Sequence, residues 1–175
     1  YIYKESINKQ RIVVCGSHGK TTITSMIMHV LNYWEKSFDY AVGAQLEGFD
    51  TMVKLTEDAP LIIIEGDEYL SSPLDRTSKF FRYKHHICSI SGIAWDHINV
   101  FPTYENYLEQ FEKLCQATPK AGSIIYNEED EEVVKVVAKA NGDFNKIPYQ
   151  TVKHTVSNGV TAINLNGTEQ EIKVF

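Results

Sequence analysis

No stretch of this chain is apolar for long enough to cross a bilayer, and its opening residues lack the pattern of a secretory signal. A membrane partner is therefore not expected. Excess positive charge is missing too. The formal net charge is −6 across 175 residues, with acidic residues spread along the chain, which argues against a nucleic-acid-binding surface. Cysteine is scarce: Cys15, Cys88 and Cys115 are odd in number, widely separated and set among apolar neighbours. They read as reduced core thiols of a cytosolic protein, not as a disulfide frame or a zinc site. Internal repeats and low-complexity tracts are also absent. What remains is an ordinary globular composition, 43% hydrophobic and 23% charged, long enough for one domain with a core.

The most informative stretch is Arg11-Ile-Val-Val-Cys-Gly-Ser-His-Gly-Lys-Thr-Thr22. Ile12-Val-Val14 reads as a buried strand that breaks at Gly16. A helix follows, with Ile23, Met26, Ile27, Val30, Leu31 and Trp34 on its apolar face. Strand, glycine loop and helix N-terminus together make an anion trap. Backbone N–H groups and the helix dipole favour phosphate, and Lys20 adds a full charge. Thr21 offers a hydroxyl to a magnesium ion bridging the phosphates. The full phosphate-loop pattern places a glycine where this chain has Val14, so only Gly16-Ser-His-Gly19-Lys-Thr21 is present. Standing alone, that hexapeptide fits equally an ordinary strand-to-helix turn, with His18 a plain loop residue. The flanking strand and helix are the context that nucleotide binding requires.

Further along, Tyr40–Ala44 and Thr51–Leu55 are candidate strands, and Leu61-Ile-Ile-Ile64 reads as a strand buried on both faces. It ends in the acidic cluster Glu65-Gly-Asp-Glu68. Tyr69 to Lys84 reads as an irregular polar stretch. Ile87-Cys-Ser-Ile90 is the next strand and runs into Gly92-Ile-Ala-Trp-Asp-His97. Thr103 is positioned to cap a helix whose apolar face is Tyr104, Tyr107, Leu108, Phe111, Leu114 and Cys115. Ser123–Tyr126 reads as a strand, and Asn127 as the cap of a valine-rich helix ending at Asn141-Gly142. Asn158-Gly159 and Asn166-Gly167 then separate three β-like runs, Thr151–Ser157, Val160–Leu165 and Glu169–Phe175. The expected fold is α/β: a mostly parallel sheet like that of P-loop NTPases, with helices on both faces and a small antiparallel meander near the C-terminus.

In such sheets ligands gather at the carboxyl ends of the strands. The loop Gly16–Thr21, the cluster Glu65–Glu68 and the pair Asp96-His97 each follow a strand, so the topology gathers them at one edge. Magnesium wants hard oxygens, and Glu65, first past its apolar run, is the natural second ligand beside Thr21. The cluster also fits a solvated strand-end turn, and Asp96-His97 a simple hydrogen-bonded pair.

Taken together, Gly16-Ser-His-Gly-Lys-Thr-Thr22, Glu65-Gly-Asp-Glu-Tyr69 and Trp95-Asp-His97 resemble the central ATP-binding domain of the Mur ligases, over most of residues 11 to 140. In that family the shortened loop is the norm, so Val14 is no anomaly. The resemblance implies a cytoplasmic, ATP- and magnesium-dependent ligase of peptidoglycan synthesis. It would phosphorylate a carboxylate of a UDP-muramyl precursor and let an amine attack the acyl phosphate. By motif position Gly16, Ser17, His18, Gly19, Lys20, Thr21 and Thr22 would hold the nucleotide. Lys20 would meet the β/γ-phosphates, Thr21 and Glu65 one magnesium, and His97 a second; Lys20, Glu65 and His97 would be catalytic. The loop and the acidic cluster resemble the branch acting on UDP-N-acetylmuramate itself, which adds L-alanine or a tripeptide. Leu74-Asp-Arg-Thr-Ser-Lys-Phe80 and the long interval between Glu65 and His97 resemble its tripeptide ligases. Arg76 and Lys79 would then meet substrate carboxylates, or else solubilise a loop. Gly92 and Ala94 depart from the family, which usually has Asn and Glu there, and Asn99 stands where an acidic residue is common.

The same resemblance implies a uridine-nucleotide domain before this one and an amine-binding domain after it. Residues 1–10 then read as a linker and 11–175 as the central domain, incomplete at its end, with 151–175 its meander. Such a fragment is expected not to ligate alone. Two other readings are a non-catalytic nucleotide- or anion-binding module and a P-loop NTPase unrelated to the cell wall.

Overall fold

The computed structural model describes residues 1–158, 160–165 and 167–172. Strand β1 (Gln10–Cys15) lies at the middle of a seven-stranded sheet. Its residues alternate between two cores, as a period of two dictates. Val13 and Cys15 join one cluster, Val14 and the half-buried Ile12 the other. On one side β1 pairs with β4 (Leu61–Glu65), on the other with β5 (Ile87–Ile90), both parallel. Outward from β4 come β2 (Asp39–Ala41), parallel, and β3 (Val53–Lys54), antiparallel. Outward from β5 come β6 (Ser123–Asn127) and β7 (Asn145–Tyr149), both parallel. The order is β3-β2-β4-β1-β5-β6-β7.

Helix α2 (Lys20–Tyr33) covers one face, its Met28 packed with Val14, Phe38, Tyr40, Val42 and Ile63. The other face carries α3 (Lys79–Tyr83), α4 (Tyr104–Gln116) and α5 (Glu131–Lys139), which bury Phe80, Tyr107, Phe111, Leu114, Val133 and Val137. A separate antiparallel sheet follows, made of β8 (His154–Ser157), β9 (Val160–Leu165) and β10 (Thr168–Ile172) in the order β10-β9-β8. The α/β core with an appended meander is thus as the sequence pattern implies. Of the two expected turns, Gly159 and Asn166 lie outside the described residues, as do positions 173–175 of the third run.

Several local expectations are corrected. Of the expected face of α2, Ile23, Ile27 and Leu31 do pack against the core, but Met26, Val30 and Trp34 (just past the helix) are 61%, 53% and 66% exposed, and Thr24 and Met28 are the fully buried residues. The helix meets the sheet along a stripe that overlaps the one apolar spacing suggests but is shifted toward Thr24 and Met28. Asp130, not Asn127, caps α5: its Oδ1 accepts from the N–H groups of Glu132 and Val133 at 3.0 and 3.1 Å. A cap of this kind is worth about 1 kcal/mol. Thr103 does cap α4, accepting from Asn106 N–H at 3.2 Å. The stretch taken as irregular contains α3, which Ser78 precedes and Lys84, at φ +48°, ends. Strand β7 has no counterpart in the sequence reading. Its Pro148 forms no N–H bond, which the outer edge of a sheet tolerates. Ahead of β1 the chain makes one helical turn, α1 (Ile2–Glu5). The buried Arg11 guanidinium then ties this segment down by donating to the carbonyls of Ser6, Ile7, Lys9 and Lys84.

Candidate nucleotide and metal site

The ends of β4, β1 and β5 are neighbours, so the three motif segments meet at the carboxyl edge of the sheet. Backbone pairing continues past the strands: Gly66 N–H donates to Val14 O at 2.8 Å and Ser91 N–H to Cys15 O at 3.1 Å. Gly16 turns the loop at φ +129°, where a Cβ would stand 2.2 Å from Ser91 Oγ. No other residue type suits both that dihedral and that contact. Ser17 N–H donates to Gly92 O at 3.0 Å, Ala94 N–H to Ser17 Oγ at 2.8 Å, and Ser91 Oγ to His18 O at 2.8 Å. Gly92 and Ala94, which depart from the resembled pattern, therefore serve the loop through backbone atoms. Asp130 Oδ2 holds the same segment by accepting from Ile93 N–H at 2.9 Å.

Thr21 and Glu65 are brought into direct contact, Thr21 Oγ1 donating to Glu65 Oε1 at 2.9 Å. The other Glu65 oxygen accepts from Gly43 N–H at 3.0 Å. This pairs two hard protein oxygens beside a phosphate-type loop. Magnesium typically takes one or two carboxylates and fills its octahedron with water and phosphate, so the donor set fits that ion. Among the described residues no group of three or more His, Cys, Asp or Glu side chains forms a metal cluster.

Glu68, the last acid of the cluster, is the hub. Its side chain is 1% exposed, and Lys20 Nζ donates to its Oε2 at 3.1 Å and to Gly16 O at 2.8 Å. His97 Nε2 stands 3.1 Å from Glu68 Oε1. A carboxylate only accepts, so Nε2 carries a proton there, and in the neutral form of the ring Nδ1 is the acceptor. His97 sits at φ +55°, with its N–H on Asp96 Oδ1 at 2.6 Å and its ring 3.9 Å from that of Tyr69. A non-glycine residue held there costs about 1–3 kcal/mol, which the surrounding bonds must offset.

Tyr107 completes the group. Its hydroxyl donates to Glu68 Oε1 at 3.3 Å and lies 2.8 Å from Ser17 Oγ. Burial, with Glu68 near, pushes this phenol well above its ordinary value, so it keeps its proton. Behind the loop, Cys15, Cys88 and Cys115 are buried and free. Cys88 is raised by its contact with Cys15 and by burial, and Cys115 is pushed up to about 12 by burial. Burial thus favours the protonated form of the Cys88 and Cys115 thiols.

Of the other anticipated residues, His18 and Thr22 are exposed, and Gly19 precedes α2 in a left-handed turn. Lys79 reaches Asp67 at 3.4 Å and so borders the acidic segment. Arg76 is exposed and makes no ion pair among the described residues. It lies on a loop closed by a bridge between Leu70 and Ser78, next to the fully exposed Leu74. The sequence reading missed Tyr107, Gly43, Ser91 and Asp130. Only Tyr107 carried a signal: a phenol on a buried helix face needs a partner for its hydroxyl.

Residues 14–175 match the family model described as the Mur ligase middle domain. A UDP-N-acetylmuramate–L-alanine ligase of Dictyoglomus turgidum is 30% identical over 165 residues, covering 94% of this chain and 33% of that protein. A UDP-N-acetylmuramate–L-alanyl-gamma-D-glutamyl-meso-2,6-diaminoheptandioate ligase of Haemophilus influenzae is 28% identical over 127 residues, covering 73% and 28%. The chain thus spans about a third or less of these relatives. In fold it resembles the corresponding meso-diaminopimelate ligase of Neisseria meningitides, with TM-score 0.79 and 24% identity, over 95% of this chain and 56% of that one. It also resembles a MurF ligase of Thermotoga maritima in complex with ADP, with TM-score 0.70 and 14% identity, over 98% and 42%.

Proposed function

The chain belongs to the Mur ligase family, and on that premise we propose that it is the ATP-binding part of a cytoplasmic ligase joining an amine to the carboxylate of UDP-N-acetylmuramate. The observation that carries this reading is the contact of Thr21 with Glu65 at 2.9 Å, beside a loop whose Lys20 is held at 3.1 Å by Glu68. Three strand ends thereby present a cation, two hard oxygens and an imidazole to one small volume. A triphosphate is the ligand such a set suits.

In this reading the loop N–H groups and the α2 N-terminus receive the phosphates, and Lys20 exchanges part of its contact with Glu68 for the β/γ-oxygens. Thr21 and Glu65 hold magnesium, which when bound screens the phosphate charge against the incoming carboxylate. His97 is the candidate for a second ion, with Glu68 fixing its tautomer as an outer partner does for a metal-bound imidazole. The substrate carboxylate takes the γ-phosphoryl group, ADP leaves, and the amine displaces phosphate from the acyl phosphate to give the amide.

For the amine we favour the tripeptide over L-alanine. Support comes from the resemblance of the Leu74–Phe80 segment and from the tripeptide ligases among its relatives in sequence and fold. Arg76 and Lys79 are the proposed contacts for peptide carboxylates. The deciding assay offers full-length protein, UDP-N-acetylmuramate and ATP with either L-alanine or L-Ala-γ-D-Glu-diaminopimelate. Faster turnover of the tripeptide is expected, and preference for free L-alanine would reverse the choice. If the wild type and Lys20→Ala bind ATP equally, the non-catalytic module becomes the better reading.

A further inference from the structure

The hydrogen bonds at Tyr107 form a chain with one direction. Ala94 N–H donates to Ser17 Oγ, at 2.8 Å. Ser17 Oγ stands 2.8 Å from the Tyr107 oxygen, whose own proton goes to Glu68 Oε1 at 3.3 Å. Because the phenol has one proton and the carboxylate can only accept, Ser17 must donate to Tyr107. The chain therefore starts on the backbone after β5, crosses the phosphate loop and ends on the carboxylate that holds both Lys20 and His97. Glu68 is 1% exposed, so its orientation is set by these protein contacts and not by water. The Tyr107 ring is itself locked, fully buried, with the rings of Phe101 and Phe111 each 5.3 Å away.

We infer that Tyr107 is a positioning residue of the nucleotide site: through one hydroxyl it fixes Ser17 of the loop and Glu68, and so sets where the Lys20 ammonium and the His97 ring stand. This rests on the proposed function for the nature of the ligand, but its structural half does not. Without the hydroxyl, Glu68 Oε1 loses one donor and turns on its remaining donors, Lys20 and His97, and Ser17 is left to find another acceptor. Lys20 then meets the phosphates from a less favourable position. A short chain of buried, mutually polarised bonds is sensitive to losing its middle member.

The test uses Tyr107→Phe, which keeps the ring and its aromatic neighbours, in the full-length protein that carries this domain. Without nucleotide, the amide resonances of Ser17, Gly19 and Lys20 are expected to move relative to wild type. With MgATP, calorimetry is expected to show affinity weakened about five- to tenfold, the size of one typical net hydrogen bond. In a Glu68→Gln background the same substitution should add less than about twofold, since the coupling runs through that carboxylate. A purely structural tyrosine would lower the melting temperature and leave loop amides and affinity in place, which would overturn the inference. An equal loss in both backgrounds would overturn it too. Should Tyr107→Phe fail to fold, Ser17→Ala cuts the same chain from the loop side and must show the same dependence on Glu68. Unmoved amides with normal MgATP binding dispose of the Tyr107 role alone. Absence of MgATP binding in wild type disposes of the nucleotide reading and of the role built on it.

Discussion

Thr21 and Glu65, 44 positions apart in the chain, meet at 2.9 Å through hydroxyl and carboxylate. With magnesium present, Glu65→Ala should weaken ATP binding at least about tenfold, in keeping with a lost charged contact of 1.5–3 kcal/mol. With magnesium chelated, the same substitution removes a negative charge near the triphosphate and should leave binding unchanged or slightly tighter. Titration of both proteins in both conditions decides it. An equal loss with and without the metal would mean that Glu65 is not a ligand.

At the opposite end of the sheet, His85 is buried, its Nε2 2.9 Å from Thr118 Oγ1. Burial, with His86 and Arg11 nearby, lowers its pKa to about 4. Between that value and the ordinary 6.5 the unfolded chain binds the extra proton and the folded one does not. Stability is therefore full above pH 6.5 and declines as pH falls toward 4, by on the order of 3 kcal/mol over the whole window. Urea melts of wild type and His85→Gln at pH 7 and pH 5 measure it. The variant should lose much less stability between the two.

Lys9 and Asp39 form a buried ion pair at 2.5 Å, with side chains 5% and 0% exposed. Burial opposes ionisation of Asp39, but hydrogen bonds from Lys9 and Thr56 outweigh it and hold the carboxyl below its usual range. Removing one partner strands the other charge, so Lys9→Ala or Asp39→Ala should each cost about 3–5 kcal/mol. The double variant Lys9→Met with Asp39→Leu should cost less than either. The carboxylate's contribution is present above pH 4 and vanishes as pH falls through its depressed folded value. Acid titration of stability, compared with Asp39→Asn, tests that sign.

Thr24 Oγ1 is buried in α2 with no hydrogen-bond partner among the described residues. Valine has the same shape without the polar group. Thr24→Val is expected to raise stability by about 1 kcal/mol, read as a higher urea midpoint at unchanged slope. A lower midpoint would mean that the hydroxyl is satisfied in solution.

The Gly16–Thr21 loop, the strand before it, the helix after it and the order of the three motifs were all legible in the sequence. Glycine placement, apolar runs and turn signals are local properties, and parallel topology carries strand ends to one edge whatever the side chains do. The sequence thus determined the family, the edge and most of the loop. Tertiary structure alone decided which acid did what. Glu65 ends β4 and Glu68 follows it in an irregular segment with no period, so nothing local says which faces Thr21 and which is buried under Lys20 and His97. Tyr107 looked like one more apolar position on α4, because a helical pattern records which face is buried but not where a phenolic oxygen ends. The half of the α2 face that was misread has the same cause: Met26, Val30 and Trp34 share the spacing of Ile23, Ile27 and Leu31, and only docking against β4 and β1 leaves them exposed and buries Thr24 and Met28. Spacing sets which residues share a face; the direction of that face is a long-range fact.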